Sequence, residues 1–254
     1  MQEIPLTTGG SEWLAVSSLS DVGCVRDNNE DSIGVFPHED PAKGTLLIVA
    51  DGMGGAAAGE VASRLAVETV RLGYVESTER SPVSDLRSAL QAANAAILEQ
   101  SRTDRRLAGM GTTCTAVAII GRELWFAHIG DSRAYLKTGT GLRQLTSDHS
   151  LAAELGRQGG AEDLRSRARN VLTRCLGVRS EVQIDVSEGS TFLPDDAGLV
   201  ICSDGLCNLV SDGEIHQVVS MHGPDGACRR LVQLAKERGA PDNVSVAVGR
   251  ITRD

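Results

Sequence analysis

Residues Thr45 to Ser63 read TLLIVADGMGGAAAGEVAS. An apolar run, Leu46 to Ala50, stops at a carboxylate, Asp51. Paired glycines, Gly54 and Gly55, follow, and then a helix-like segment. For one aspartate the ordinary explanations suffice, because Asp-Gly is a common turn pair and Asp is a good helix N-cap. The pattern recurs, however. ELWFAHIGD ends in Asp131, GLVICSD ends in Asp204, Asp242 stands just before VSVAVGRI, and Glu30-Asp31 opens the strand-like DSIGVF. Carboxylates at the ends of several buried strands should lie along the rim of one sheet layer. If they converge, they lose hydration and repel one another, so the cluster must protonate or hold a cation. Oxygen-only ligands select Mg²⁺ or Mn²⁺ over Zn²⁺. Gly52 lets a backbone carbonyl come close to such an ion, and Gly54-Gly55 leave room for a substrate.

Outward from this stretch, short β-rich runs recur at Glu12–Ser20, Thr112–Ile120, Glu123–Gly130, Arg133–Thr138, Gly198–Ser203 and Val244–Ile251. The short links among Thr112–Ile120, Glu123–Gly130 and Arg133–Thr138 predict antiparallel hairpins. Helix-like segments cover Gly59–Val75, Ser81–Gln100, Leu151–Gly159, Ser211–Val219 and Gly223–Gly239. Leu86, Leu90, Ala93 and Ile97 keep helical spacing on one face, and Ser81-Pro82 suits a helix start. Hairpins and grouped helices, without βαβ alternation, predict an α+β layered domain.

The chain has 254 residues, 41% of them hydrophobic, enough for one sizeable core or two small ones. Aromatics are only 3%, so Ala, Val, Leu and Ile must build the interior. A net charge of −9 argues against a nucleic-acid surface. The six cysteines form no C-x-x-C pair and read as small core hydrophobes of a reducing compartment. No signal-peptide pattern and no bilayer-spanning apolar run is visible, so a cytoplasmic location with no membrane contact is expected.

Spacing excludes other chemistries. A P-loop fails because Glu60 stands where Lys is required. The Gly52-x-Gly54-x-x-Ala57 imitation of a dinucleotide fingerprint is weak, since Asp51 repels a pyrophosphate. No Cys has an Arg six positions on, the five His form no H-x-x-x-H pair, and G-x-S-x-G is absent. Each His reads as structural or solvated.

Eight stretches in order, SDVGCVRDNNEDSIGV, VADGMGGAAAGEVAS, GMGTTCTAVAI, FAHIGDSRAYL, LTSDHSLAAEL, RNVLTRCLG, ICSDGLCNLVSDGEI and PDNVSVAV, carry a resemblance over nearly the whole chain. They resemble the bacterial form of the metal-dependent PP2C-type (PPM) serine/threonine protein phosphatases. The resemblance implies an α+β four-layer α-β-β-α sandwich, two antiparallel sheets flanked by helices. It implies a single domain over residues 1–254 with the family's mobile flap at about 146–170. It implies two Mn²⁺ or Mg²⁺ ions bridged by Asp51, with Asp204 and Asp242 completing the first site and the Gly52 carbonyl reaching the second. Glu30 and Asp31 then hold metal-bound waters, Arg26 clamps the substrate phosphate, and Asp131 contributes to a third, weaker metal site. The implied reaction is hydrolysis of phosphoserine and phosphothreonine proteins by a metal-activated water, opposing a bacterial Ser/Thr kinase, in a monomer.

Two departures stand out. Met53 occupies the position where many eukaryotic relatives have a His general acid, and a thioether donates no proton. Residues Gly159–Asn170 form a flap shorter than in many bacterial relatives and without their His-Pro step. Its Arg165, Arg167 and Arg169 read either as an attraction for acidic phosphopeptides or as a solvated basic face. Two rival functions are a non-catalytic scaffold binding a phosphorylated partner and a metallohydrolase of small phosphoesters. The scaffold ranks lower because no core ligand is missing.

Overall fold

The computed structural model describes residues 4–11, 13–54, 58–79, 81–159, 162–168 and 170–252. Gly55 and Arg169 lie outside the described residues, as does the side chain of Arg165. One sheet runs β1 (Ile4–Ser11), β2 (Leu14–Asp21), β13 (Val244–Ile251), β12 (Gly198–Cys202), β8 (Arg133–Thr138) and β9 (Gly141–Gln144) in spatial order. The other runs β10 (Asp185–Val186), β7 (Glu123–Ile129), β6 (Cys114–Ile120), β4 (Thr45–Met53) and β3 (Asp31–Pro37). Two-residue strands join it, β5 (Gly111–Thr112) on β4 and β11 (Thr191–Phe192) on β7. Every pairing is antiparallel.

The opening run explains the layering. Side chains alternate across a strand, so a run apolar at every position must be covered on both faces. Leu46, Ile48 and Ala50 of β4 pack with α1 (Ala58–Glu76) and α2 (Pro82–Thr103), among Ala62, Val70, Leu86 and Ile97. Leu47 and Val49 point the other way, into an inter-sheet cluster with Val16, Leu199, Ile201 and Ala247. On the first sheet, Val200, Val246 and Val248 face α6 (Asp212–Met221) and α7 (Pro224–Glu237), through Ile215, Cys228 and Leu231. Three apolar layers therefore separate helices, sheet, sheet and helices, the expected four-layer order. With few aromatics available, the inter-sheet space is filled by branched aliphatics and alanine.

Helix starts follow their local chemistry. Ser81 caps α2 by accepting from the Ser84 amide, with Pro82 in the first turn. Ser211 and Glu214 form a capping box at α6. Three shorter helices are α3 (Leu151–Arg157), α4 (Glu162–Arg167) and α5 (Asp204–Cys207).

Two expectations need correction. The β6–β7 link is a hairpin, with Gly121 at φ 55° in its two-residue turn. The β7–β8 link is not, because β7 and β8 belong to different sheets. Gly130 adopts φ 113°, a conformation open to glycine, and the buried Asp131-Ser132 step carries the chain across the sandwich. Asp51 also caps no helix, since β4 continues to Met53 and α1 begins at Ala58. Strand β1 is built around Thr7-Thr8-Gly9-Gly10 and has no apolar alternation to announce it. All six cysteines are free. Cys114, Cys202 and Cys228 are buried, whereas Cys24 is exposed and packs in no core. Among the described residues no helix is long and apolar enough to cross a membrane.

Leu47 has no exposed surface and lies between the sheets. Leu47→Ala is expected to lower the unfolding free energy by about 2–5 kcal/mol through lost burial and a residual cavity. Urea denaturation reads this directly, and an unchanged midpoint would contradict the tight inter-sheet packing.

Candidate active site

One end of the sandwich collects the acidic strand ends. The β3–β4 register sets Asp31 opposite Asp51. Asp204 opens α5 directly after β12, Asp242 stands in the loop before β13, and Asp131 occupies the crossing from β7 to β8. Arg26, Glu30, Asp51, Gly52, Asp131, Asp204 and Asp242 all line one cleft of ≈ 570 Å³. Asp31 does not line it. It lies beneath the floor, 3% exposed, and accepts from Ser203 Oγ at 2.7 Å.

Backbone bonds fix these side chains. The Asp51 amide donates to Thr113 Oγ1 at 2.9 Å, while its carbonyl accepts from the Thr113 amide and Thr112 Oγ1, each at 2.9 Å. With both backbone groups satisfied, the carboxylate has a defined origin. The Gly52 amide donates to the Glu30 carbonyl at 3.1 Å. A Cβ on Gly52 would stand 2.1 Å from the Gly59 carbonyl oxygen, so only glycine fits. Asn243 organises the Arg26 loop. Its Oδ1 accepts from the Glu30 amide at 2.8 Å, and its Nδ2 donates to the Val22 and Asn28 carbonyls at 2.9 Å each. Ser203 Oγ also accepts from the Ser245 amide at 3.0 Å, joining β12 and β13 under the floor.

The electrostatics follow from crowding. Burial raises the Asp51 carboxyl well above its ordinary range, and Asp31, Asp204, Asp131 and Asp242 raise it further. Burial pushes Asp31 to about 7, against the hydrogen bonds from Ser203 and Ser245 and with Asp204 and Asp242 adding to the rise. Burial and then Asp204 push Asp131 to about 7. Asp204 rises through burial and Asp242, and Glu30 rises chiefly through burial. Arg26 donates from Nη2 to Asp242 Oδ2 at 2.9 Å, half exposed at the cleft mouth.

Do these residues fit a divalent cation? Among the described residues Glu30 Oε1 is buried with no hydrogen-bond partner of good geometry, although the Gly59 backbone lies beside the carboxylate, and such an atom is costly unless something electropositive meets it. The donors are all oxygen, the choice of a hard ion. Among the described residues no three acidic, imidazole or thiol groups form a ready-made ligand set for one ion. Mg²⁺-type ions need none, because they hold several waters and take only one or two carboxylates. The lone carboxylates lining this cleft therefore fit such ions.

Several cleft features were not singled out from sequence. Thr113 and Asn243 lie within the quoted GMGTTCTAVAI and PDNVSVAV, but only folding brings them to Asp51 and Glu30. Val171, Leu172, Cys175 and Val178, at and beyond the end of the flap, form the far wall. Arg167 pairs with Asp163 at 3.3 Å and is well exposed, as the solvated alternative expected. Met53 lines the cleft without a dissociable proton.

Residues 26–235 match the family Protein phosphatase 2C. The chain is 37% identical over 243 residues to "Protein phosphatase PhpP" of Streptococcus pneumoniae, covering 92% of this chain and 96% of that one. The fold matches the Mycobacterium tuberculosis serine/threonine phosphatase PstP/Ppp with TM-score 0.84 and 35% identity, over 95% of this chain and 100% of that one. It also matches the catalytic domain of PstP in complex with 2 manganese ions, with TM-score 0.83 and 34% identity, over 95% and 99% of the two chains.

A pH dependence follows. Asp31 and Asp131 in the folded protein keep protons to about 7, whereas unfolded Asp releases them near about 3.9. Above that unfolded value proton release favours unfolding, so the metal-stripped protein should lose stability as pH rises through about 7. Asp51→Asn should raise the melting temperature of the metal-stripped protein at pH 8. A melting temperature that is level or rising between pH 5 and pH 8 in EDTA would contradict this.

Proposed function

The chain belongs to the protein phosphatase 2C family, and from that premise we propose a role for each residue of the cleft. The protein is a metal-dependent protein serine/threonine phosphatase. The observation that carries the assignment of roles is the gathering of Asp51, Asp204, Asp242, Asp131, Glu30 and Arg26 around one cleft. A non-catalytic scaffold is not favoured, because Asp51, Asp204 and Asp242 all line the cleft and the matching relatives are named as phosphatases.

Asp51 would bridge two ions, Mn²⁺ or Mg²⁺, with Asp204 and Asp242 completing one site and the Gly52 carbonyl serving the other. Asp131 would serve a third, weaker site, and Glu30 and Asp31 would hold waters of the ions. When bound, a pair of such cations supplies Lewis acidity that activates water and neutralises phosphoryl charge. The chain's own residues do the positioning. Arg26 presents a planar fork of donors at the cleft mouth, suited to two phosphate oxygens, and Asp242 holds that fork over the cleft. The cleft wall at Leu172 and Val178 would cover one side of a bound phosphoresidue. Hydrolysis adds water across the P–O bond, giving inorganic phosphate and the free Ser or Thr hydroxyl. Met53 gives no proton to that leaving oxygen, so the proton comes from water or from another group of the cleft.

The substrates would be phosphoproteins made by a partner Ser/Thr kinase. Residues 1–254 would act as one catalytic domain with 146–170 as its flap, supported by an inter-sheet core that draws on both Leu14 and Ile251. Six free thiols support a reducing, cytoplasmic setting.

The test is hydrolysis of a phosphothreonine peptide with Mn²⁺ and with EDTA. Activity should require the metal and disappear in Asp51→Asn. Arg26→Ala should lower kcat/KM by roughly 10- to 150-fold, the worth of a charged hydrogen bond, while calorimetric Mn²⁺ affinity stays near native. Full activity in metal-free buffer, or native kinetics in Arg26→Ala, would overturn these assignments.

A further inference from the structure

Asp131 enters the cleft from a corner held by a residue that does not line it, His149. The Gly130 amide donates to His149 Nδ1 at 3.1 Å, and the His149 amide donates to the Gly130 carbonyl at 2.7 Å. His149 Nε2 lies 3.0 Å from Asp185 Oδ2. The other oxygen, Asp185 Oδ1, accepts from Arg174 Nη1 at 2.7 Å. An amide N–H can only donate and a carboxylate can only accept. The ring is therefore the tautomer with Nδ1 bare and the proton on Nε2. Its side chain is fully buried, and burial lowers the pKa of the imidazole. On the opposite side of the corner, a Cβ on Gly130 would stand 2.4 Å from Thr113 Cβ, and Thr113 holds the Asp51 amide. Gly130 is thus gripped between Thr113 and His149.

We infer that His149 is a positioning residue of the phosphatase. The Asp185–His149 pair locks one tautomer, that tautomer grips Gly130, and the grip sets where the Asp131 carboxylate enters the cleft. The inference rests on the role proposed above for Asp131. Outer partners that orient groups at metal sites typically change affinity or activity by 10- to 100-fold when removed.

Asp185→Asn isolates the lock. Asp185 is partly exposed, so the change is tolerable for folding. Arg174 can only donate and will take the carboxamide oxygen, leaving the NH₂ group facing His149 Nε2. Either tautomer then meets one donor, the NH₂ group at Nε2 or the Gly130 N–H at Nδ1, and the inference expects the proton to move to Nδ1 and push the Gly130 N–H away.

The experiment uses the full chain, with and without Mg²⁺. Imidazole ¹⁵N spectra should show the His149 proton on Nε2 in the native protein and on Nδ1 in Asp185→Asn. Amide hydrogen exchange at Gly130 should accelerate in the variant even without metal. With a phosphothreonine peptide, kcat should fall about 10- to 100-fold with KM changed little. His149→Asn, whose carbonyl can accept from Gly130 as Nδ1 does, should retain slow exchange, and adding Asp185→Asn to it should cost less than about twofold. A ring that keeps its Nε2 proton in Asp185→Asn overturns the inference. So does a reversed tautomer with native Gly130 exchange and native kcat. If instead Asp131→Ala turns over at the native rate while the tautomer still controls Gly130 exchange, the lock stands and the role given to Asp131 fails.

Discussion

Asp31 and Asp51 face each other across neighbouring antiparallel strands, and among the described residues neither forms an ion pair. Like charges placed opposite each other destabilise a sheet, and burial worsens the cost. Asp204 and Asp131 add to it from the other side of the cleft. A fold that holds such a group together must draw its stability from elsewhere. Here the source is three apolar layers, two between sheet and helices and one between the sheets. The repulsion is offset in turn by whatever positive charge the cleft takes up, which makes the destabilised end of the molecule its reactive end.

The polar groups under the cleft explain why the carboxylates do not simply swing apart. Thr113, Asn243 and Ser203 each bond to more than one segment. Thr113 ties β4 to the β7–β8 crossing, Asn243 ties the Arg26 loop to β13, and Ser203 ties Asp31 to β12 and β13. Buried networks with every member satisfied are rigid, and rigidity is what a site working by position and charge requires. Gly52 and Gly205 contribute by absence of side chain, since a Cβ on either would collide with a carbonyl oxygen at 2.1 Å and 2.0 Å.

Phosphoryl hydrolysis suits this architecture because it asks little covalent chemistry of the protein. The cleft brings together carboxylates, an arginine and an apolar wall, the parts that the proposed chemistry requires. The wall comes from residues at and beyond the end of the flap, and the same segment sends Arg174 to Asp185 behind the cleft. One wall of the cleft and the support of the Gly130 corner thus share one stretch of chain.

Much of this was legible before folding. The apolar runs ending in Asp51, Asp131 and Asp204, the oxygen-only character of the set and the layered α+β class all follow from local pattern, because strand burial and ligand chemistry are properties of residue type and spacing. The ordered motifs extended this to the four-layer sandwich. The partners of each carboxylate were not legible. Nothing in GDSR says that the chain changes sheets at Gly130, since a short link between strands reads as a hairpin unless the pairing of both neighbours is known. Nothing in EDSIGV says that Asp31 lies beneath the cleft, because a one-residue change of register would turn it to the other face. The tautomer of His149 was equally hidden, set by an amide 19 residues away and a carboxylate 36 residues away. Sequence determined which groups are present and that they belong at strand ends. Tertiary structure alone decided which of them face one another, because hydrogen-bond direction and charge repulsion act through space and not along the chain.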